Sequence, residues 1–205
     1  MFLCDIYLNG CYGCCIIGKN HEETTMGYWN SRGLRGSSLE LIINETNKIY
    51  LEDGLAVIQK LPTSIKPVRL DAEHGTITLA YFDEKSTVDY MGNVQGIPIC
   101  FDAKETSLPS LPIANIHEHQ IEFMEKFNQQ KGISFILVHF SKKEKSFLID
   151  FNTLKKYWDN AQKGGRKSIP FSAMQGEFEV FPHKHYMLHY LEALNNLIIH
   201  QDNKY

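Results

Sequence analysis

The chain lacks any apolar run approaching the roughly 20 residues needed to span a bilayer, so nothing in its 205 residues reads as a membrane-crossing helix. It also lacks a basic surplus: 21 Lys and Arg stand against 24 Asp and Glu, a net charge of −3. Affinity for nucleic acid comes largely from cations neutralising phosphates, so the sum argues mildly against such a partner, although distribution matters more. A second cysteine pair is missing too. Of five cysteines, Cys4, Cys11, Cys14 and Cys15 crowd into the first fifteen residues and Cys100 stands apart. Cys11 to Cys14 has a C-x-x-C spacing, but no partner pair completes a zinc site, and an odd count favours free thiols. There is no internal repeat and no low-complexity tract. The opening Met1-Phe2-Leu3-Cys4-Asp5 has no basic flank and carries an early acid, unlike a secretory signal. These absences leave a cytoplasmic globular protein as the expectation, with 43% hydrophobic and 22% charged residues.

What is present begins late. Residues 1–29 show no periodicity and read as a flexible, cysteine-containing leader; residues 30–205 read as one domain. Ser37-Ser38-Leu39-Glu40 has the form of a capping box with Ser37 at the N-cap. Leu39, Ile42, Ile43, Thr46 and Tyr50 then fall at helical spacing, and Gly54 can end the helix. Glu45 lies at the edge of that stripe, either facing solvent or reaching a neighbouring cleft. Ala56-Val57-Ile58 reads as a short strand. Ile65–Leu70 and Thr76–Phe82, joined by a turn at Glu73-His74-Gly75, read as a hairpin whose partial alternation and polar flanks let it project from the core. A Ser/Pro loop over Ser107–Pro112 precedes a helix expected from about His117 to Gln130, and the apolar run Ile133–Val138 fits a buried central strand. Ser146–Ile149 pairs with it across a lysine turn, and helices follow around Thr153–Lys163 and Tyr186–His200. Strands in the middle with helices on both sides make an α/β domain with a mixed sheet.

The chemistry-bearing segment is Ser86-Thr87-Val88-Asp89-Tyr90, followed by Ile99-Cys100-Phe101-Asp102-Ala103-Lys104. Side chains two apart on a strand share a face, so Cys100, Asp102 and Lys104 point together while Phe101 and Ala103 face away. A turn around Gly92 and Gly96 would fold the strands into a hairpin and set Asp89 beside Asp102. Two carboxylates can hold a hard divalent cation, and an ammonium nearby can offset charge on a reacting phosphate. That is the D…(D/E)xK layout of a metal-dependent nuclease. Alone the pattern is weak, because most Asp–Lys neighbours are solvated surface pairs. Basic residues at Arg32, Arg35, Lys142, Lys143, Lys145, Lys155, Lys156, Lys163, Arg166 and Lys167 permit a basic face. His117 and His119, and the later His183, His185 and His189, lack the spacing that would complete a zinc site; the late cluster is expected at the surface or facing DNA.

Six motifs in order carry a resemblance: Asn44-Glu45-Thr46-Asn47, Tyr81-Phe82, Ser86–Tyr90, Phe101–Thr106, His117–Glu122 and Gly164–Ile169. Together they resemble the RecU-type Holliday junction resolvases, over about Asn30 to Tyr190. The resemblance implies a restriction-endonuclease-like core with a protruding hairpin stalk over about residues 65–82. It implies a homodimer that nicks four-way DNA junctions symmetrically with Mg²⁺, Mn²⁺ able to substitute, and the RecA recombinase as a further partner. By motif, Asp89 and Asp102 match the carboxylate ligands, Thr87 and Gln120 the additional ligands, and Lys104 the transition-state stabiliser. Glu45 matches an acidic position near the site. Arg32, Arg35, Lys66, Arg69, Lys163, Arg166 and Lys167 are the candidate DNA contacts. Asp102 stands where the family usually has Glu. Two other classes remain open: a junction-bridging architectural protein that does not cut, and a related nuclease with a different structural preference.

Overall fold

The computed structural model describes residues 39–82, 87–174 and 178–202. The leader, Ser37, Arg32 and Arg35 lie outside the described residues. The first helix, α1 (Leu39–Glu52), buries Leu39, Ile42, Ile43, Thr46 and Tyr50, the stripe its spacing predicts. It closes at Gly54, whose φ of 68° is accessible without strain to a residue lacking Cβ.

Six strands form the central sheet in the order β1 (Ala56–Lys60), β4 (Tyr90–Val94), β5 (Ile97–Thr106), β7 (Ile133–Phe140), β8 (Lys145–Asp150) and β10 (Glu179–Val180). Only β5 and β7 pair in parallel; the other pairings are antiparallel, so the sheet is mixed. A parallel pair needs a crossover, and α2 (Glu118–Gln129) supplies it. Asp150 caps α3 (Phe151–Gln162), its side chain accepting from the Asn152 and Thr153 amides at 2.9 and 3.2 Å. β7 is interior and buried almost throughout, as its apolar run predicts.

Alternation along β5 divides the core into two layers. Phe101 joins Phe135, α1 and α4 (Tyr190–Asp202) on one face, where the Tyr90, Phe101 and Phe135 rings stack at 4.8 and 4.9 Å. Cys100 joins Ile136, Val138, α2 and α3 on the other. Asp102 and Lys104, two and four residues on, share the second face.

β2 (Ile65–Asp71) and β3 (Thr76–Phe82) make a separate two-stranded sheet that is exposed along nearly its whole length. The chain leaves the central sheet at Leu61 and returns at Asp89, and the Leu61 amide donates to the Asp89 carbonyl at 2.8 Å. The hairpin is therefore an excursion rooted beside Asp89.

Three local expectations need correcting. Gly92 is not in a turn: it pairs with Ile99 inside β4, and a Cβ there would sit 2.2 Å from the Val57 carbonyl oxygen. The turn belongs to Gln95 and Gly96, both at positive φ. α4 begins at Tyr190 rather than Tyr186, because Lys184 turns the chain at a φ of 52° and Tyr186 bridges back to His183. Finally, the Ser/Pro segment contains β6 (Ser110–Pro112), which pairs with β9 (Ser168–Pro170).

Candidate active site

Asp89 sits one residue before β4, directly across from Asp102 in β5, since Tyr90 pairs with Phe101. Here side chains replace the strand ladder. The Asp89 amide donates to Asp102 Oδ1 at 2.9 Å, and the Ala103 amide donates to Asp89 Oδ2 at 3.0 Å. Each carboxylate is thus fixed by the other strand's backbone, which sets their separation before any ligand arrives. Asp102 is fully buried and Asp89 half-buried. The Lys104 ammonium lies 2.7 Å from Asp102 Oδ2, in ion-pair contact.

Burial pushes the Asp102 carboxyl above its ordinary range. Lys104 pulls it back and the Asp89 charge pushes it up further. Burial likewise raises the Cys100 thiol to about 12, so it is a core thiol and not a nucleophile.

Among the described residues no group of three or more His, Cys, Asp or Glu converges as a metal cage. A hard cation asks for less. Mg²⁺ keeps several waters and commonly takes one or two carboxylates, and that is the donor set here. Asp102 Oδ2 supports the fit: it is buried, and unlike Oδ1 it accepts from no backbone amide.

The arrangement is that of a carboxylate pair with an ammonium on a β-hairpin, and a family model settles where it belongs. The model for RecU, recombination protein U, matches residues 34–196. The chain belongs to the RecU family. The Holliday junction resolvase RecU of Oceanobacillus iheyensis is 42% identical over 168 residues, covering 80% of this chain and 86% of that protein. Its counterpart in Streptococcus sanguinis is 46% identical over 145 residues, covering 69% and 72%. That of Pediococcus pentosaceus is 42% identical over 175 residues, covering 81% and 85%.

Within this chain, the structure joins Asp89, Asp102 and Lys104 directly. Thr87 is half-buried two residues ahead of Asp89. Gln120 is buried, but its Oε1 accepts from the His117 amide at 2.9 Å and caps α2. Glu45 is exposed on α1, in the layer across the sheet from Asp102, and its carboxylate meets Lys48 at 2.6 Å. No hydrogen bond or ion pair ties Glu45 or Gln120 to the aspartates among the described residues. Lys66 and Arg69 are exposed on the hairpin, and Lys163, Arg166 and Lys167 are exposed between α3 and β9. None of these five pairs with a carboxylate among the described residues, which leaves their charge available to an anionic partner. The β6–β9 pairing and the bond from the Ile113 amide to the Lys167 carbonyl (3.0 Å) tie that basic loop to the chain just beyond β5.

Of the late histidines, His183 and His185 are exposed as expected, and only His189 corrects the surface expectation. His189 is buried and its Nδ1 meets the Tyr50 hydroxyl at 3.0 Å. His185 Nε2 and the Tyr186 hydroxyl both reach Asp53 Oδ2, at 2.8 and 2.5 Å. Sequence reasoning also missed the capping role of Gln120. The signal was present: a glutamine at the third position of a helix is half of a capping box.

Proposed function

We propose that this chain is a structure-selective endonuclease that resolves four-way DNA junctions by paired, symmetric, Mg²⁺-dependent nicks, with Mn²⁺ able to substitute. The interlocked Asp89–Asp102 pair carrying Lys104 is the observation that bears most weight. Membership of a family whose relatives are named Holliday junction resolvases supports the substrate. In this reading the sheet with α2 and α3 is a restriction-endonuclease-like core, residues 30–205 are one nuclease domain, and β2–β3 is the stalk that enters the junction.

Hydrolysis of a phosphodiester adds a water oxygen to phosphorus and breaks the bond to the leaving sugar oxygen. Asp89 and Asp102 would hold Mg²⁺, with Thr87 and Gln120 ranking behind them as neutral oxygens. Bound there, the ion lowers the pKa of water and polarises the phosphate. The backbone bonds to both carboxylates keep them from reorganising during the reaction, which is where fixed charge gains its advantage. Lys104 supplies its ammonium where negative charge develops. Glu45, on the far layer, is a secondary candidate for proton handling. Lys66, Arg69, Lys163, Arg166 and Lys167 contact backbone phosphates, which position DNA without reading sequence. A homodimer with two-fold symmetry presents two equal sites to a junction with the same approximate symmetry.

An architectural protein that bridges junctions without cutting would need the basic surface but not a buried carboxylate pair. A labelled four-way junction beside matched linear duplex separates the readings. Wild type with Mg²⁺ should give paired nicks on the junction. Asp89→Asn should lose cleavage by about 10²–10³-fold or more while still binding the junction in Ca²⁺. Undiminished cleavage by Asp89→Asn would remove the aspartate from the reaction.

A further inference from the structure

Lys104 and a divalent cation compete for one atom. Asp102 Oδ1 is occupied by the Asp89 amide, which leaves Oδ2 as the oxygen a ligand would take. The Lys104 ammonium already lies 2.7 Å from it, with only 16% of the side chain exposed. The contact neutralises a carboxylate that is otherwise wholly buried. A cation arriving at Oδ2 would face a like charge at close range, where attraction to the carboxylate and repulsion from the ammonium are of similar size. A lysine stem is flexible enough to resolve that conflict by turning away.

We propose that Lys104 is a metal-displaced gate: it stores its charge on Asp102 Oδ2 in the metal-free protein and is released toward the phosphate when a divalent cation takes that oxygen. This rests on the nuclease reading above and assigns Lys104 a second task within it. In the absence of metal the gate keeps the buried carboxylate neutralised and the ammonium withdrawn. Loading then prepares two groups in one event, since the ligand oxygen is claimed and the lysine is freed together. Coupling is reciprocal: whatever the cation does to Lys104, Lys104 does to cation affinity. Removing the lysine should therefore tighten metal binding even as it slows cleavage. A lysine that merely assists the transition state would leave metal affinity unchanged, and one that orders the site would weaken it on removal.

The test is Mn²⁺ binding by calorimetry without DNA, with wild type and variant at the same pH. Lys104→Gln should bind Mn²⁺ about tenfold or more tighter than wild type; equal or weaker affinity overturns the gate and leaves the nuclease reading standing. Should Lys104→Gln not fold, the wild-type protein decides. Its Lys104 side-chain ¹H–¹³C resonance, assigned through Lys104→Arg, should move on saturation with Ca²⁺. A resonance that stays in place while Ca²⁺ binds overturns the gate. If wild type and Asp89→Asn alike bind no Mn²⁺, the metal site itself is lost, and the proposed function falls with the gate.

Discussion

At the centre of the sheet Asp102 is 0% exposed, with a charge on its face and another beside it, whereas on the β2–β3 hairpin Val68, Leu70, Tyr81 and Phe82 are each more than half exposed. The two regions invert the usual partition in opposite directions. Charges are rarely buried unless paired, and large apolar side chains are rarely displayed in a row. Neither departure helps folding. Buried ion pairs seldom repay their desolvation, and an exposed apolar hairpin gains almost nothing from the core. Local rules broken without a structural return are expected where a protein acts. On the proposed function, the contrast puts chemistry in the sheet and selection in the hairpin, and the bond from Leu61 to Asp89 roots the second beside the first.

Excising the hairpin gives the sharpest test of that division. Replacing residues 63–85 by a short Gly-Ser linker should cost little stability, because Leu61 and Asp89 already lie in hydrogen-bonding contact. Preference for a junction over linear duplex should collapse, by about 10³-fold if the hairpin supplies most of the specific binding. Retained preference, measured by competition binding on the two substrates, would place selection elsewhere. A large fall in Tm would show that the hairpin belongs to the fold after all.

The opposite test acts on the other face of the same strand. Phe101 is fully buried between the Tyr90 and Phe135 rings, one residue from Asp102. Phe101→Ala should lower stability by about 3–5 kcal/mol, seen as a reduced urea midpoint with little change in slope. Replacing the whole buried pair, Asp102→Leu with Lys104→Met, removes both charges from the neighbouring face and should cost far less, or stabilise the metal-free protein. Equal losses at the two positions would mean that Asp102 is structural in the way Phe101 is.

How much of this was legible in the sequence follows from the range of the forces involved. The α1 stripe, the β7 run and the alternation that sets Asp102 and Lys104 together are local patterns, and each reappears in the structure. The placement of Asp89 beside Asp102 needed only a hairpin. β6 and β9 escaped notice because three-residue strands have no period of their own and gain their pairing from a partner almost sixty residues away. Gly92 looked like a turn because a close approach to β1 is invisible without the neighbour. Gln120 shows how one residue type serves two purposes that spacing cannot separate. His189 escaped notice for the same reason as β6: its fate depends on Tyr50, 139 residues back.

That histidine carries the smallest of the expected effects. Burial holds His189 down at about 4, and His183, Lys184 and His185 add cationic charge that opposes its protonation. Unfolded, the imidazole returns to its ordinary 6.5, so between these values the unfolded chain binds the extra proton. The stabilisation is therefore complete above about pH 6.5 and is lost as pH falls toward 4, by about 2–3 kcal/mol. Asp102 acts with the opposite sign in the same window, because its raised pKa lets the folded state take up a proton first. A pH profile of wild type alone would blend the two. The comparison of wild type with His189→Gln isolates the histidine, since Asp102 is common to both. Urea midpoints at pH 7 and pH 4.5 should fall more for wild type than for the variant. Parallel falls would mean that the Tyr50–His189 contact survives protonation, and that this end of α4 tolerates charge as the sheet centre does.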